Sequence, residues 1–145
     1  LATARSCQTP IVHLQHVDGP GGLFEPVGHG GRFIDSLAPD NNEFVVQNGL
    51  ANGFAMSGLD DHLQYIGRKN LIIAGFMTHI SVSLTAKAAI ERGYRVCVIA
   101  DACAATLVAD GNVRDLDDKT LHSRALYFLG ENGVEIAAGE GDLAA

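Results

Sequence analysis

Several residue types are scarce or absent in this chain, and each shortage argues against a class of protein. Its 145 residues contain no tryptophan, three cysteines and four prolines. An odd number of cysteines without paired spacing does not fit a disulfide framework, so we expect a protein of the reducing cytoplasm. No apolar run approaches the roughly 20 residues that cross a bilayer, and no cleavable leader is recognisable. We therefore expect no membrane association.

Positive charge is also in short supply. Ten lysines and arginines stand against 17 aspartates and glutamates, which gives a net charge of −7. Nucleic acids and anionic membranes require a basic face, so neither is an expected partner. The 17 glycines suit an α/β protein with many tight strand-to-helix turns. The length predicts one domain over residues 1–145.

The most informative stretch covers residues 70–103. Residues 71–74 form a continuous apolar run, apolar and small residues recur at helical spacing over 80–90, and 94–100 is rich in β-branched residues. This pattern predicts a right-handed βαβ unit and a parallel sheet covered on both faces. Ligands of such sheets bind at the carboxyl ends of the strands, which here means the loop 75–79.

The flanking segments predict further strands and helices. Strands are expected at residues 10–14, 43–48 and 133–137, a loop or short helix at 104–112, and an unstructured tail at 139–145. Ser57 is expected to begin a helix, with its hydroxyl accepting from the backbone of Asp60. The last helix begins at Asp117 and Asp118, and its buried face is predicted to contain Leu121, Ala125, Phe128 and Leu129.

The glycine-dense segment 17–32 does not match a nucleotide-binding pattern. A phosphate-binding loop would end in Lys-Ser/Thr and lead into a helix, and neither feature is present. No G-x-G-x-x-G follows a strand either, so a dinucleotide-binding module is a weak third interpretation. The simpler expectation is a long loop in which glycine permits positive φ.

The central stretch resembles the signature of the isochorismatase-like hydrolases, also called cysteine hydrolases. Their pattern, G-x-x-T-x-x-C-V followed by a T-A helix, G-Y-x-V and D-A, is matched in register at Gly75, Thr78, Val82, Thr85, Ala86, Gly93, Tyr94, Val96, Asp101 and Ala102. The resemblance extends from residues 10–16 to the helix at 121–128. It implies a parallel Rossmann-like sheet flanked by helices in a three-layer sandwich.

Three departures from the family pattern concern its chemistry. The nucleophile position holds Ser81 in place of cysteine, and the lysine position holds Asn48. The family's first strand and helix, which carry an aspartate used as acid or base, are not found, so the domain is N-terminally short. Either the chain is truncated, or the sheet closes across the gap, or a partner chain fills it.

The resemblance also implies an oxyanion site. Its donors would be the backbone amides of Met77 and Ser81, beside a cis peptide bond between Phe76 and Met77. The substrate-binding positions that we expect are Phe33, Phe54, Phe76, Thr78 and His79. His79 is weighed both as a pocket wall and as a general base, with the wall favoured because geometry must come first.

No cofactor or metal is expected. His13 and His16 lie on opposite faces of a regular strand, so they do not form a metal pair. Cys97 is expected to fill core space, and Cys103 is expected to be structural because no basic neighbour in the sequence would generate a thiolate.

Two functions remain open. The first is a hydrolase for a small amide, carbamoyl or vinyl-ether substrate, with Ser81 at the nucleophile position. The second is a catalytically silent family member that binds a small ligand or a partner chain. The resemblance further implies a homo-oligomer, and an exposed gap in a parallel sheet adds a reason to associate.

Overall fold

Parallel strands alternate with helices along the chain, as the sequence predicts. The structure, a computed structural model, describes residues 1–107 and 117–144. They fall into two compact units, Leu1–Leu59 and Asp60–Ala145. The strands form two parallel sheets, one of two strands and one of three, rather than a single closed sheet. The predicted α/β class is confirmed. In the described part of the chain no helix is long and apolar enough to span a membrane.

The first unit contains helix α1, strands β1 and β2, and a short 3-10 turn. Their bounds are Ala2–Ser6 for α1, Val12–His16 for β1, Asp35–Leu37 for the 3-10 turn and Phe44–Asn48 for β2. β1 and β2 run parallel, with Val12 opposite Phe44 and His16 opposite Asn48. The two strands therefore lie within two residues of the segments that the apolar runs predict.

A charged cluster attaches α1 to the residue that precedes β2. Arg5 donates from Nε to Glu43 Oε1 at 2.8 Å and from Nη2 to Oε2 at 2.9 Å. His13 Nε2 lies 2.7 Å from the same Oε2. The Arg5 guanidinium holds the pKa of Glu43 well below its usual range, because a bidentate pair favours the ionised carboxylate. The His13 side chain is therefore part of this charged cluster.

The second unit contains helices α2, α3 and α4, strands β3, β4 and β5, and one turn of π-helix. Their bounds are Leu59–Tyr65 for α2, Asn70–Phe76 for β3, Thr78–Val82 for the π turn, Ser83–Glu91 for α3, Arg95–Ala104 for β4, Asp118–Glu131 for α4, Glu135–Ala137 for β5 and Glu140–Ala144 for a 3-10 turn. The strands pair in parallel in the order β3-β4-β5. α2 begins at the last residue of the first unit.

The core of this unit lies where α3 and α4 pack on β4 and β5. Val98 of β4 and Leu129 of α4 are fully buried, and Ala86 and Ala89 present small side chains on the buried side of α3. The prediction for Phe128 is wrong, since 49% of its side chain is exposed. Ala125 and Leu129 lie four residues apart on the buried stripe, and Phe128 falls beside that stripe.

Strand β3 is less covered than its apolar sequence predicts. Among the strands that the structure describes, it pairs with β4 alone and is an edge strand of the three-stranded sheet. Its burial alternates along the strand, with Ile72 56% exposed and Phe76 62% exposed. The expected cover on both faces is therefore not present over β3 in the described residues. Apolar side chains on an edge strand are a feature that proteins usually limit.

Two predicted boundaries are wrong for identifiable reasons. The Ser57 hydroxyl donates to Gly53 O and accepts from Leu59 N, so it serves the preceding loop and α2 begins at Leu59. The tail is ordered as a 3-10 turn because Asp142 Oδ2 accepts the N–H groups of Ala138 and Gly139.

β4 runs four residues further than the apolar pattern of 94–100 predicts. After a register shift in β3, Gly75 and Phe76 pair with Cys103 and Ala104, and this extends the ladder. Of the predicted loop or short helix at 104–112, residues 108–112 lie outside the described residues.

A buried tyrosine joins the start of β4 to α2. Tyr94 donates from its hydroxyl to Asp60 Oδ1 at 2.6 Å, and Lys69 Nζ lies 5.2 Å from the centre of its ring. Burial of the ring and the contact with Asp60 raise the pKa of Tyr94 to about 12. The neutral phenol is favoured because it donates to a carboxylate in a poorly hydrated place.

This contact predicts a loss of stability in strong alkali. The Tyr94 hydroxyl ionises near pH 10 in the unfolded chain and near pH 12 in the fold, so the folded state holds the extra proton between these values. Its contribution is complete below pH 10 and declines as pH rises to 12. We expect Tyr94→Phe to lower the free energy of unfolding at pH 7 by about 2 kcal/mol. The variant should also lose less stability than wild type between pH 10 and 12, in urea titrations followed by circular dichroism.

Tyr127→Phe is the matched control, because that ring is exposed on α4. Parallel alkaline profiles for wild type and Tyr94→Phe would show that the Tyr94 hydroxyl does not carry this dependence.

Candidate functional site

The chain turns sharply at the carboxyl end of β3, the place where the parallel-sheet argument puts a ligand site. The predicted cis peptide bond between Phe76 and Met77 is present, and Gly75 just before it has φ of +133°. The carbonyl of Met77 accepts from Ile80 N at 3.0 Å and from Val82 N at 3.3 Å. The predicted helix at 80–90 therefore divides into the π turn and α3. We call Met77 together with the π turn the amide corner.

Ser81 is the fourth of the five residues of the π turn and is half-buried. Among the described residues, no group hydrogen-bonds its hydroxyl, and no carbonyl accepts the N–H of Met77. In such a turn, a free hydroxyl can attack a carbonyl carbon, and a free N–H can bind the carbonyl oxygen. The structure thus brings Met77, Thr78, His79 and Ser81 together in one turn.

Thr78 is held at two atoms. Its Oγ1 lies 2.8 Å from Nδ1 of His122 on α4, and its carbonyl accepts from the Ser83 hydroxyl at 2.6 Å. The side chain is fully buried, so it is part of the support of the corner, although it is predicted as a substrate-binding residue. His122 and Ser83 are residues that the sequence interpretation misses. The pattern gives no signal for His122, which is 44 positions from Thr78.

His79 is half-buried, and its Nδ1 is buried without a hydrogen-bond partner among the described residues. An orphan ring nitrogen of this kind is unusual in folded proteins. The role of His79 as pocket wall or base stays a prediction, as does that of Phe76, whose ring is largely exposed.

Asn48 and two predicted aromatic residues belong to the first unit. The amide of Asn48 donates to the carbonyls of Asn52 and Ala55, both at 2.9 Å, and its oxygen accepts from Leu50 N at 2.8 Å. All three contacts stabilise the loop 49–55. A lysine would make at most the donor contacts, so the asparagine is well suited to this turn.

The two aromatic residues differ in burial. Phe54 is buried. Phe33 is half-buried and makes an edge contact with the ring of His13 at 5.6 Å between centroids. Both stay predictions as substrate contacts.

Comparison with known proteins identifies the family. The isochorismatase domain matches residues 1–114 of this chain. The isochorismatase family protein YddQ of Bacillus subtilis is 30% identical over 139 residues, which cover 92% of this chain and 74% of YddQ. The chain belongs to the isochorismatase family. The resemblance seen in the sequence is confirmed.

Two further relatives of this isochorismatase-family chain bear on fold and chemistry. The crystal structure of an isochorismatase from Pseudomonas putida KT2440 matches with a TM-score of 0.86 and 34% identity, over 94% of this chain and 70% of that one. Streptothricin hydrolase of Streptomyces noursei is 32% identical over 137 residues, 94% of this chain and 50% of the relative. The chain therefore spans between half and three quarters of these three proteins. It is a hydrolase-like protein with the isochorismatase fold.

The cysteines of this isochorismatase-family chain are poorly placed to form thiolates near the corner. Cys97 and Cys103 are buried, and burial raises the pKa of both thiols. A raised pKa lowers the fraction of the nucleophilic thiolate. Within the described ranges, no three His, Cys, Asp or Glu side chains are grouped so that they could hold a metal ion.

A cavity of about 170 Å³ lies between the carboxyl end of β4 and the first turns of α4. It is lined by Cys103, Ala104, Ala105, Asp118, Lys119 and His122. His122 therefore faces this cavity and contacts Thr78 as well.

Proposed function

We propose that this protein is a small-molecule hydrolase whose reacting centre is the amide corner. The substrate would be a small amide, carbamoyl compound or vinyl ether. One observation carries the proposal: within the part of the chain that the structure describes, neither the Ser81 hydroxyl nor the Met77 N–H has a hydrogen-bond partner, and both belong to the turn at the carboxyl end of a parallel strand. Relatives that include a streptothricin hydrolase support a hydrolytic role.

The chemistry follows from the groups present. For an amide or carbamoyl substrate, the Ser81 hydroxyl would attack the carbonyl carbon, and the backbone N–H groups of Met77 and Ser81 would stabilise the oxyanion. Collapse of this intermediate would break the C–N bond and release the amine, and water would then hydrolyse the acyl-serine. A serine needs a base for its attack, and His79 is the candidate in the same turn. For a vinyl ether, His79 would donate a proton to the vinyl carbon, water would add to the resulting oxocarbenium ion, and the hemiketal would release the alcohol, while Ser81 would position the substrate.

A second candidate function is ligand binding without catalysis. Asn48 favours it, because its whole side chain is used by the loop 49–55 and it supplies no cation. The amide corner would then bind a carbonyl or carboxylate oxygen and release it unchanged. In both cases we propose a small molecule as the partner, and homo-oligomerisation stays a prediction.

Ser81→Ala separates the two functions. We expect the purified wild-type chain to hydrolyse at least one of three substrate types: nicotinamide, an N-carbamoyl amino acid or isochorismate. For nicotinamide or the N-carbamoyl compound, kcat should fall about 100-fold or more in Ser81→Ala, because the attacking oxygen is lost. Product formation followed by chromatography and mass spectrometry gives the rates.

Ser123→Ala, an exposed serine on α4, is the matched control and should retain wild-type rates. If Ser81→Ala keeps wild-type turnover, Ser81 is not the nucleophile. If the wild-type chain binds one of these compounds in calorimetry without turning any of them over, the binding function replaces the hydrolase.

A further inference from the structure

One polar side chain from a distant helix reaches the amide corner. His122 lies in α4, and its Nδ1 is 2.8 Å from Oγ1 of Thr78. Thr78 is fully buried, so its hydroxyl is shielded from water, and His122 is half-buried. A buried hydroxyl needs a partner, and among the described residues no other side chain hydrogen-bonds Oγ1.

The same threonine is fixed through its backbone. The Ser83 hydroxyl donates to the Thr78 carbonyl at 2.6 Å, so both the side chain and the peptide group of Thr78 are anchored. Thr78 follows Met77 directly and precedes Ser81 by three residues. Its position therefore sets the directions of the two N–H groups that the proposed reaction uses. Such donors are effective only when held to within about 0.5 Å of the productive geometry.

Close packing does not account for the contact. His122 is half-buried and borders the cavity of about 170 Å³, so its ring is not fully enclosed by neighbouring side chains. An apolar residue would serve a packed helix face better than an imidazole that must find a hydrogen-bond partner. The feature that distinguishes His122 is the hydrogen bond to Thr78.

We infer that His122 is a positioning residue, which holds Thr78 and through it aligns the N–H groups of Met77 and Ser81. The effect of His122 on catalysis rests on the proposed function, but its effect on the geometry of the amide corner does not. The imidazole accepts from the Thr78 hydroxyl when Nδ1 carries no proton, and donates to it when Nδ1 is protonated. The hydrogen bond to Thr78 therefore persists whether or not Nδ1 carries a proton.

Two substitutions at position 122 isolate the hydrogen bond. His122→Asn keeps a polar atom bonded to Cγ, at the place of Nδ1, whereas His122→Leu puts a methyl group there. The readout is the ¹H–¹⁵N spectrum of labelled protein, followed at the amide resonances of Met77 and Ser81. We expect the Leu variant to shift both resonances, and the Asn variant to keep both close to their wild-type positions.

Thr78→Val and Lys119→Gln complete the set. Thr78→Val removes the other end of the bond, and the Thr78→Val/His122→Leu double variant should shift the two amide resonances no more than either single variant. Lys119→Gln alters the same cavity wall without touching Thr78 and should leave both amides unchanged. Should Thr78→Val fail to fold, the pair at position 122 still decides the matter.

The results distinguish a residue that positions the amide corner from one that only attaches α4 to it. A lower unfolding midpoint in His122→Leu with unmoved Met77 and Ser81 amides would overturn the inference, as would equal changes in the Asn and Leu variants. With a turned-over substrate, the Leu variant should lose about 10-fold in kcat with KM nearly unchanged, and Asn should restore it. If the wild-type chain turns over nothing, the proposed function fails, and the amide resonances of Met77 and Ser81 still test the positioning role.

Discussion

Ser81→Cys is expected to raise the rate of amide or carbamoyl hydrolysis by about 100-fold at pH 8, because a thiol ionises far more readily than an alcohol. Ser81 is half-buried in the π turn, two residues before α3, where the positive end of the helix favours a thiolate. The N–H of Met77 is equally available to the oxyanion in the variant. The measurement is kcat/KM for the best substrate of the wild-type chain, over pH 6 to 9.

The matched control for this gain is Ser123→Cys, which adds a thiol to an exposed part of α4. Alkylation should abolish the gain in Ser81→Cys and leave the control at the wild-type rate. A folded Ser81→Cys protein without any gain would place the reacting centre elsewhere.

Adding Asn48→Lys restores the cation that the family resemblance places there. It also removes hydrogen bonds to Leu50, Asn52 and Ala55, so the single variant is the cleaner experiment.

Leu129→Ala is expected to lower the free energy of unfolding by about 2 to 5 kcal/mol. Leu129 is fully buried where α4 meets the sheet, and truncation removes its contacts and leaves a cavity. Urea titration followed by far-ultraviolet circular dichroism gives the change in free energy.

Phe128→Ala serves as the control for this loss, since the neighbouring ring is 49% exposed. It should cost clearly less than Leu129→Ala. Equal losses for the two variants would mean that α4 packs through a different face from the one described.

Much of the fold was predictable because its determinants are local. The apolar run of β3, the small residues of α3 and the β-branched run of β4 specify a βαβ unit through periodicity alone. Asp117 is a clear helix start, and its carboxylate accepts from Thr120 N at 2.7 Å. The family resemblance added what periodicity does not contain, namely the cis bond after Phe76.

The failures involve contacts between residues that are far apart in the sequence. Periodicity marks Leu129 and Phe128 as equally apolar, and only the packing of α4 separates them. The support of the corner through His122 depends on a contact across 44 positions, which no window of sequence contains. The loop-holding role of Asn48 was missed because its three partners are backbone groups, and every residue type carries those.

The burial of two thiols has a practical consequence for labelling. Cys7 is exposed, whereas Cys97 and Cys103 are enclosed and their raised pKa values leave them mostly protonated. A maleimide dye added briefly at neutral pH should therefore mark the native chain at one site. A reporter at Cys7 would lie on α1's C-terminal boundary, so its mobility would sense release of that helix from the Arg5–Glu43 pair without disturbing the amide corner.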